Sequence, residues 1–440
     1  MALQPASEEP RRPTRNRRRV FAVGSWRFEC TRQRLLDACV DTASRVMESV
    51  VYWIGPLLIL LASAIIFTLA YTFFTVLLPM IHRKHIDSIW RIPMMTFHTC
   101  WVVFILIQII FNYASCVLQR HTGPPYDRVV RELAIVTDFA YPSTPTAISQ
   151  HRRTVQDLIN VRLQQRRQRL QQQALNGSSN APLRPWMLQG PFEWGYCGRT
   201  NQAKPPRSHY DHVTKVLVLN LDHYCPWMFN ASKSGVFACL VRHRCSLSPT
   251  VGYFNYRYFV TFLIYIFVGM VYGTSVATEP FLLSKSLAFR RQVALERKHA
   301  LHPENTDIPE RISPLMPLRS EKLLVTLSFM LCAAVGLAIV LLGGFHIYLS
   351  LTGMTTIEFH GQWGSKRKHP YSVGTRMGNW RRVFGEKWWL ALLIPSRKEP
   401  EFLPMTVPGH SGLRASAAEG DTMQVEDTSD VAAAELVRLV

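Results

Sequence analysis

Four long apolar runs constrain this chain more than any other feature, at about 51–80, 94–118, 258–278 and 323–351. A helix needs roughly 20 consecutive, mostly apolar residues to cross the hydrocarbon core of a bilayer. Each run reaches that length, and the first exceeds it, which implies tilt or an interfacial end. Buried helices of soluble proteins seldom stay apolar for so long. The expected fold is therefore an α-helical polytopic membrane protein with four transmembrane helices.

Charge sets the expected orientation. The net charge of +20 sits largely beside the spans, beginning with Arg11, Arg12, Arg15, Arg17, Arg18 and Arg19 in a basic 1–50 segment. Basic loops favour the cytosolic side. Both termini and the polar 119–257 segment are accordingly expected in the cytosol, with 279–322 as a lumenal loop and 352–440 as a cytosolic tail. Arg290, Arg291, Arg297 and Lys298 run against that asymmetry. Asn176 and Asn230 head N-x-S sequons that would stay unglycosylated in the cytosol. No nucleic-acid module accompanies the basic charge, so no nucleic-acid partner is expected. The nine scattered cysteines do not form a secreted disulfide pattern. The 1–50 segment has no apolar core of the kind a signal peptide carries.

Within 119–257, residues 151–173 are rich in Gln, Arg and Leu and read as a solvated helix, ended by the Asn-Gly-Ser-Ser-Asn linker at 176–180. Further on stands Asp222-His223-Tyr224-Cys225-Pro226-Trp227. A thiol becomes a strong nucleophile when a neighbouring base favours its thiolate, and a carboxylate can orient that base. Cys225, His223 and Asp222 supply those three types within four residues. Such a site directly before a span is suited to a lipid thioester, with the acyl chain among the helices and the polar head in the cytosol. Lys204-Pro205-Pro206-Arg207-Ser208-His209, just upstream, offers basic groups for a phosphorylated head.

Taken together, Tyr196-Cys197, the 204–209 run, Asp222 to Trp227 and Val251 to Phe259 resemble the cysteine-rich domain of the DHHC palmitoyltransferases. Thr355-Thr356-Ile357-Glu358 resembles that family's TTxE motif. His369-Pro370-Tyr371, with Gly374 and Asn379-Trp380, resembles its C-terminal motif. The resemblance covers roughly residues 50 to 385 and implies a cytosolic, mostly irregular and β-hairpin catalytic domain between the second and third helices. It implies protein S-acyl transfer in an endomembrane, the Golgi or the endoplasmic reticulum, from palmitoyl-CoA to cysteine-containing protein substrates. Cys225 would be acylated, His223 would be the base, Asp222 would orient it and Thr356 would support Asp222. Lys204, Arg207, His209 and Trp227 would bind acyl-CoA. Tyr371 and Asn379 would hold the tail against the catalytic domain.

Two departures stand out. The family builds two zinc sites here, yet Thr200, Tyr210, Asp211, Thr214, Leu217 and Tyr224 fill most of the ligand positions. Thr, Tyr and Leu are not ordinary zinc ligands. Cys197, His209, Asp211 and His212 remain as a substitute donor set, whereas packing by Val213, Val216, Leu217, Val218 and Leu219 is the alternative to a metal. Secondly, Phe229 to Thr250 interrupts the family pattern, either as a tolerated loop or as an error of the gene model or isoform. A catalytically impaired membrane scaffold is the first rival function. A four-span transporter or channel is the second, although Gln108, Asn112 and His346 are nearly all the polarity its spans would offer.

Overall fold

A computed structural model describes residues 57–174, 190–212, 214–228, 250–301, 313–362, 369–406, 410 and 412–414. The basic 1–50 segment, the start of the first apolar run, the 176–180 linker, both sequon asparagines, nearly all of the 229–250 interruption and the acidic tail lie outside the described residues.

The apolar runs form four helices long and apolar enough to cross a membrane: α1 (Leu57–Lys84), α2 (Arg91–Leu118), α5 (Tyr256–Lys285) and α7 (Lys322–Thr352). A π-helical turn over Phe73–Leu77 interrupts α1. Helix α5 packs chiefly on α7 and α2. Lipid-type surface remains on the outside, where Phe67, Ile107, Leu337 and Leu341 are exposed. Two helices flank the polar segment, α3 (Pro124–Val136) and the longer α4 (Pro145–Ala174). A further helix, α6 (Leu287–Leu301), occupies the segment expected to be a loop between the third and fourth spans.

Spans one and three meet at their far ends through Lys84 and Glu279, 3.2 Å apart. Helix α5 starts at Tyr256, beside the polar domain, and ends at Lys285. Consequently the Leu57 end of α1, the Leu118 end of α2, the Tyr256 end of α5 and the Thr352 end of α7 share one face. The chemistry-bearing motifs gather there.

That domain is built from three two-stranded antiparallel ribbons rather than one sheet. Strand β1 (Gly195–Cys197) pairs with β2 (Gln202–Lys204), β3 (Ser208–Tyr210) with β4 (Leu217–Leu219), and β5 (His223–Tyr224) with β6 (Thr250–Val251). Ribbons this short need support from outside. Helix α3 supplies it by burying Val129, Val130, Leu133 and Ala134 against Trp194, Ala203, Leu219 and Phe254. Phe139 stacks on Trp194 at 4.4 Å, and the Trp194 indole donates to Thr137. Helix α4 is solvated over most of its surface and is tied down by His151 to the Gly195 carbonyl and by Arg162 to Glu193.

After α7 come three short helices: α8 (Thr356–Gln362), α9 (Arg376–Phe384) and α10 (Trp388–Leu393). Gln108 of α2 donates to the Leu393 carbonyl, Asn112 donates back to Gln108, and Tyr265 donates to the Leu392 carbonyl. The polar groups of span two therefore hold α10, where a transporter would need them facing a path. The chain then returns over the domain, burying Arg414 between Glu132 and Glu399.

Candidate active site

Strand β5 is short because two demands meet on it. Its backbone pairs with β6, and the Asp222 N–H donates to the Val251 carbonyl at 2.8 Å. Gly252 follows, where an added Cβ would sit 2.8 Å from Val218 and 3.0 Å from the Leu219 carbonyl. Only glycine lets β6 lie this close to β4. The ribbon thus delivers Asp222 into the interior and turns His223 toward the helices.

Asp222 is fully buried, and its carboxylate is satisfied on both oxygens. His223 donates from Nδ1 to Oδ2 at 2.7 Å, the Thr356 N–H donates to Oδ1 at 2.7 Å, and the Thr356 hydroxyl donates to Oδ2 at 2.9 Å. These three donors fix the position of the carboxylate beside His223. Burial alone would lower the proton affinity of His223. The hydrogen bonds and charges of Asp222 and Cys225 prevail and raise its pKa to about 9. The imidazole therefore favours its protonated form beside the Cys225 sulfur.

Cys225 ends the strand at the foot of a 3₁₀ turn, Pro226–Met228, and is buried among Met228, Val251, Tyr258, Phe259 and Phe262. Tyr113 of α2 donates to the Trp227 carbonyl at 2.7 Å and fixes the turn to the bundle. The Trp227 side chain is 43% exposed beside it. An apolar cavity of about 90 Å³ lies between the spans, lined by Phe73, Val102, Ile105, Met270, Gly273 and Cys332.

The TTxE run has a plain local cause. Helix α7 ends at Gly353 in the left-handed region (φ 72°), and the chain restarts at once as α8. Thr355 and Glu358 cap that start reciprocally: the Glu358 N–H donates to the Thr355 hydroxyl, and the Thr355 N–H donates to the Glu358 carboxylate. This is a capping box, which a T-x-x-E pattern specifies. It leaves Thr356 in the first turn with both its N–H and hydroxyl directed at Asp222. Arg207 completes the support, donating to Glu358 twice at 2.7 Å, to the Gly353 carbonyl at 3.0 Å and to the Pro404 carbonyl at 2.7 Å. Burial would raise the Glu358 carboxyl, but Arg207 and His369 hold it well below the usual range.

Arg207 is thus a buried cation with four of its five N–H donors on Glu358 and two carbonyls, which differs from the expectation that it faces a phosphate. His209 differs from expectation too. Burial and the neighbouring Lys204 bring its pKa down to about 4, so it is neutral at pH 7. Lys204 is half-buried on β2, and burial lowers its pKa. The three basic residues do not form an open phosphate clamp. Tyr371 lies over the Arg207 guanidinium at 4.5 Å and donates to the Pro191 carbonyl. The Asn379 amide accepts from the Val373 N–H and donates to the Leu351 carbonyl and the Ser372 hydroxyl. Tyr371 thus ties the tail to the polar domain, whereas Asn379 ties it to the end of α7, which differs from the expectation that both hold it against that domain.

The residual zinc donors do not converge. Among the described residues, the one group of three His, Cys, Asp or Glu with ligand atoms within 4.8 Å is Asp222, His223 and His346. Asp211 spends its carboxylate on the hydroxyls of Thr214 and Thr250, both at 2.6 Å. These bonds join the β3–β4 ribbon to β6. Leu217, Val218 and Leu219 are buried alongside. Thr200, in another family ligand position, has a buried hydroxyl without a partner. Among the described residues, those in the family's ligand positions do not fit its zinc ions.

His346 is the site residue that sequence reasoning missed. It sits on α7 with Nδ1 3.7 Å from the Asp222 carboxylate and its ring 5.2 Å from that of His223. Phe259 meets both rings at about the same distance. The one available signal was a histidine within an otherwise apolar span.

Fold and site together define a membrane-embedded protein with a Cys-His-Asp group at the mouth of a four-helix bundle. Residues 191–231 and 242–362 match the model of the DHHC palmitoyltransferase family, so this part of the chain is similar to that family. The break at 232–241 lies inside the 229–250 interruption. Similar proteins include "Probable protein S-acyltransferase 12" of Arabidopsis thaliana (27% identical, 46% of this chain and 55% of that one). Palmitoyltransferase ZDHHC16A of Danio rerio is 24% identical over 46% of this chain and 56% of its own. Palmitoyltransferase ZDHHC20 of Mus musculus is 25% identical over 51% and 52%. The chain spans about half the length of the curated relatives it matches.

Proposed function

We propose that the protein is a protein S-acyltransferase that moves a long-chain acyl group, palmitate foremost, from acyl-CoA through Cys225 to cysteine thiols of other proteins. The observation that carries this is the convergence of Asp222, His223, Cys225 and Thr356 where the bundle meets the polar domain. The Cys225 sulfur attacks the thioester carbonyl, the carbon–sulfur bond to CoA breaks, and His223 gives its proton to the departing CoA thiolate. The acyl group then rests on Cys225 as a thioester. In the second step an acceptor thiol loses its proton to His223 and attacks that thioester, which frees Cys225. Asp222 fixes the tautomer and orientation of His223, and Thr356 fixes Asp222. His346 walls the pair from water and holds its geometry from the α7 side.

The apolar cluster that holds Cys225, with Ile105, Ile109 and Phe262 of the spans, supports an approach of the acyl chain from the bilayer side, and the exposed Trp227 lies two residues beyond the thiol. Lys204 is the remaining cation of its run for the CoA head, whereas Arg207 and His209 shape the surface beneath it. No zinc is required, because the Asp211 latch and the Leu217–Leu219 packing perform the joining that metal performs elsewhere in the family. The positively charged flanks favour a cytosolic active face with both termini on that side, in an endomembrane.

The test is transfer in reconstituted vesicles. Purified protein with palmitoyl-CoA and a cysteine-bearing acceptor should acylate the acceptor, and Cys225→Ser should not. Binding of palmitoyl-CoA without transfer by the wild type would instead establish the impaired-scaffold reading.

A further inference from the structure

About 45 Å from the site, judged from the 30 residues of α5 at 1.5 Å each, the opposite end of the bundle carries a second concentration of charge. Helix α6 lies beside the start of α7, and a cavity of about 770 Å³ opens between them. The facing stripes follow one helical spacing. On α6 they are Arg290, Val293, Ala294 and Arg297; across the cavity they are Arg319, Lys322, Leu323 and Thr326. Positions i, i+3, i+4 and i+7 share a helix face, so the α6 stripe is presented as a row, facing Lys322, Leu323 and Thr326 at the start of α7 and Arg319 in the turn before it.

Five cations line this one space, Lys285 joining the four already named, and among the described residues no carboxylate lines it. Among the described residues none of the five has an ion-pair partner. Two lie over aromatic faces instead: Lys322 Nζ is 4.9 Å from the Phe289 ring centre and Lys285 Nζ is 5.3 Å from that of Phe281. Like charges held around a concave surface repel one another and raise the local potential for anions. A concave lining that gathers three guanidinium groups (Arg290, Arg297 and Arg319) and two ammonium groups (Lys285 and Lys322) matches a phosphate, whose oxygens accept from such donors.

The surroundings favour one source of that phosphate. Leu287, Leu295 and Leu323 are exposed beside the cavity, at the end of spans that would sit in lipid. Leucines next to clustered arginines at a membrane boundary suit an interfacial position. We propose that the α6–α7 cavity binds a phosphate-bearing anion, namely the headgroup of an anionic phospholipid in the leaflet opposite the active site. The bound lipid neutralises the five cations and holds α6 against α7. This site is independent of the acyl-transfer reading and uses none of its residues.

The experiment uses the full-length protein, delipidated in detergent, with thermal unfolding as the readout. Probes are short-chain phosphatidic acid, short-chain phosphatidylcholine and inorganic phosphate, each with wild type and with the Arg290→Gln/Arg297→Gln double variant. Arg291→Gln, off the facing stripe, removes an exposed charge without touching the cavity. Phosphatidic acid should raise the wild-type midpoint well above phosphatidylcholine. The double variant should need at least ten-fold more phosphatidic acid for the same gain, and Arg291→Gln should behave as wild type. Inorganic phosphate matching phosphatidic acid would keep the anion site but assign it to free phosphate. Equal effects of phosphatidic acid and phosphatidylcholine, or an undiminished gain in the double variant, would overturn the proposal. Direct counting of bound lipid by native mass spectrometry covers the case in which the variant's own midpoint is altered.

Discussion

Replacing Arg207 with Ala separates a structural cation from a substrate-binding one. The guanidinium side chain is 3% exposed and Glu358 is 15% exposed, so the pair is held largely out of water. Deleting one partner of a buried pair costs about 3–5 kcal/mol, because the other charge is left uncompensated. His369 Nε2 stays 3.3 Å from Glu358, which puts the expected loss near the lower end, about 3 kcal/mol. Glu358 would also lose the contact that holds its carboxyl below the usual range, so its capping of α8 and the delivery of Thr356 to Asp222 should weaken with it. The assay is thermal unfolding of detergent-solubilised protein beside steady-state kinetics in palmitoyl-CoA. Arg207→Ala should lower the unfolding midpoint by several degrees and depress kcat. A midpoint equal to wild type, with only KM for palmitoyl-CoA raised, would refute this reasoning and restore Arg207 to the phosphate.

Other perturbations test separate parts of the site. Asp222→Asn should slow acyl-enzyme formation roughly 10²–10⁴-fold, the range lost with a positioned acid–base group, with the fold retained on circular dichroism. The raised pKa of His223 stabilises its protonated form in the fold, so that contribution is complete below pH 6.5 and is lost as pH rises through about 9. The midpoint advantage of wild type over His223→Gln should therefore shrink over that interval, and a constant difference would contradict the pairing. Asp211→Ala strands the Thr214 and Thr250 hydroxyls and should cost about 1–3 kcal/mol. A metal chelator should leave the wild-type midpoint where it is, and a large fall would reinstate a metal at the ribbons.

The spans were legible because a run of 20 or more apolar residues has few fates, and the structure puts helices over all four. The three-dimensional meaning of the short motifs was less accessible. Thr355-x-x-Glu358 carries a helix-start signal in its spacing, yet nothing local says that the helix begins where Asp222 lies, some 134 residues earlier in the chain. Arg207 looked like a phosphate ligand because a Lys-Pro-Pro-Arg run reads as exposed; long-range pairing with Glu358 decided otherwise. His346 stood out only as a polar residue in an apolar span, since the partners that make it part of the site, Asp222 and His223, are remote in the chain. Helix α6 was read as loop because its charges mask a weak periodicity, one that shows only when its stripe is matched to that of α7. The Asp211 latch depends on Thr250, which belongs to a ribbon formed across the 229–250 interruption.

The most direct measurement is on Cys225 itself. The protein is mixed with labelled palmitoyl-CoA without an acceptor, quenched, digested and mapped by mass spectrometry, and a parallel sample is chased with an acceptor thiol. The expected result is one hydroxylamine-sensitive palmitoyl thioester on the peptide containing Cys225, absent in Cys225→Ser and discharged by the acceptor. Equal labelling of wild type and Cys225→Ser, or label confined to another cysteine, would contradict Cys225 as the nucleophile.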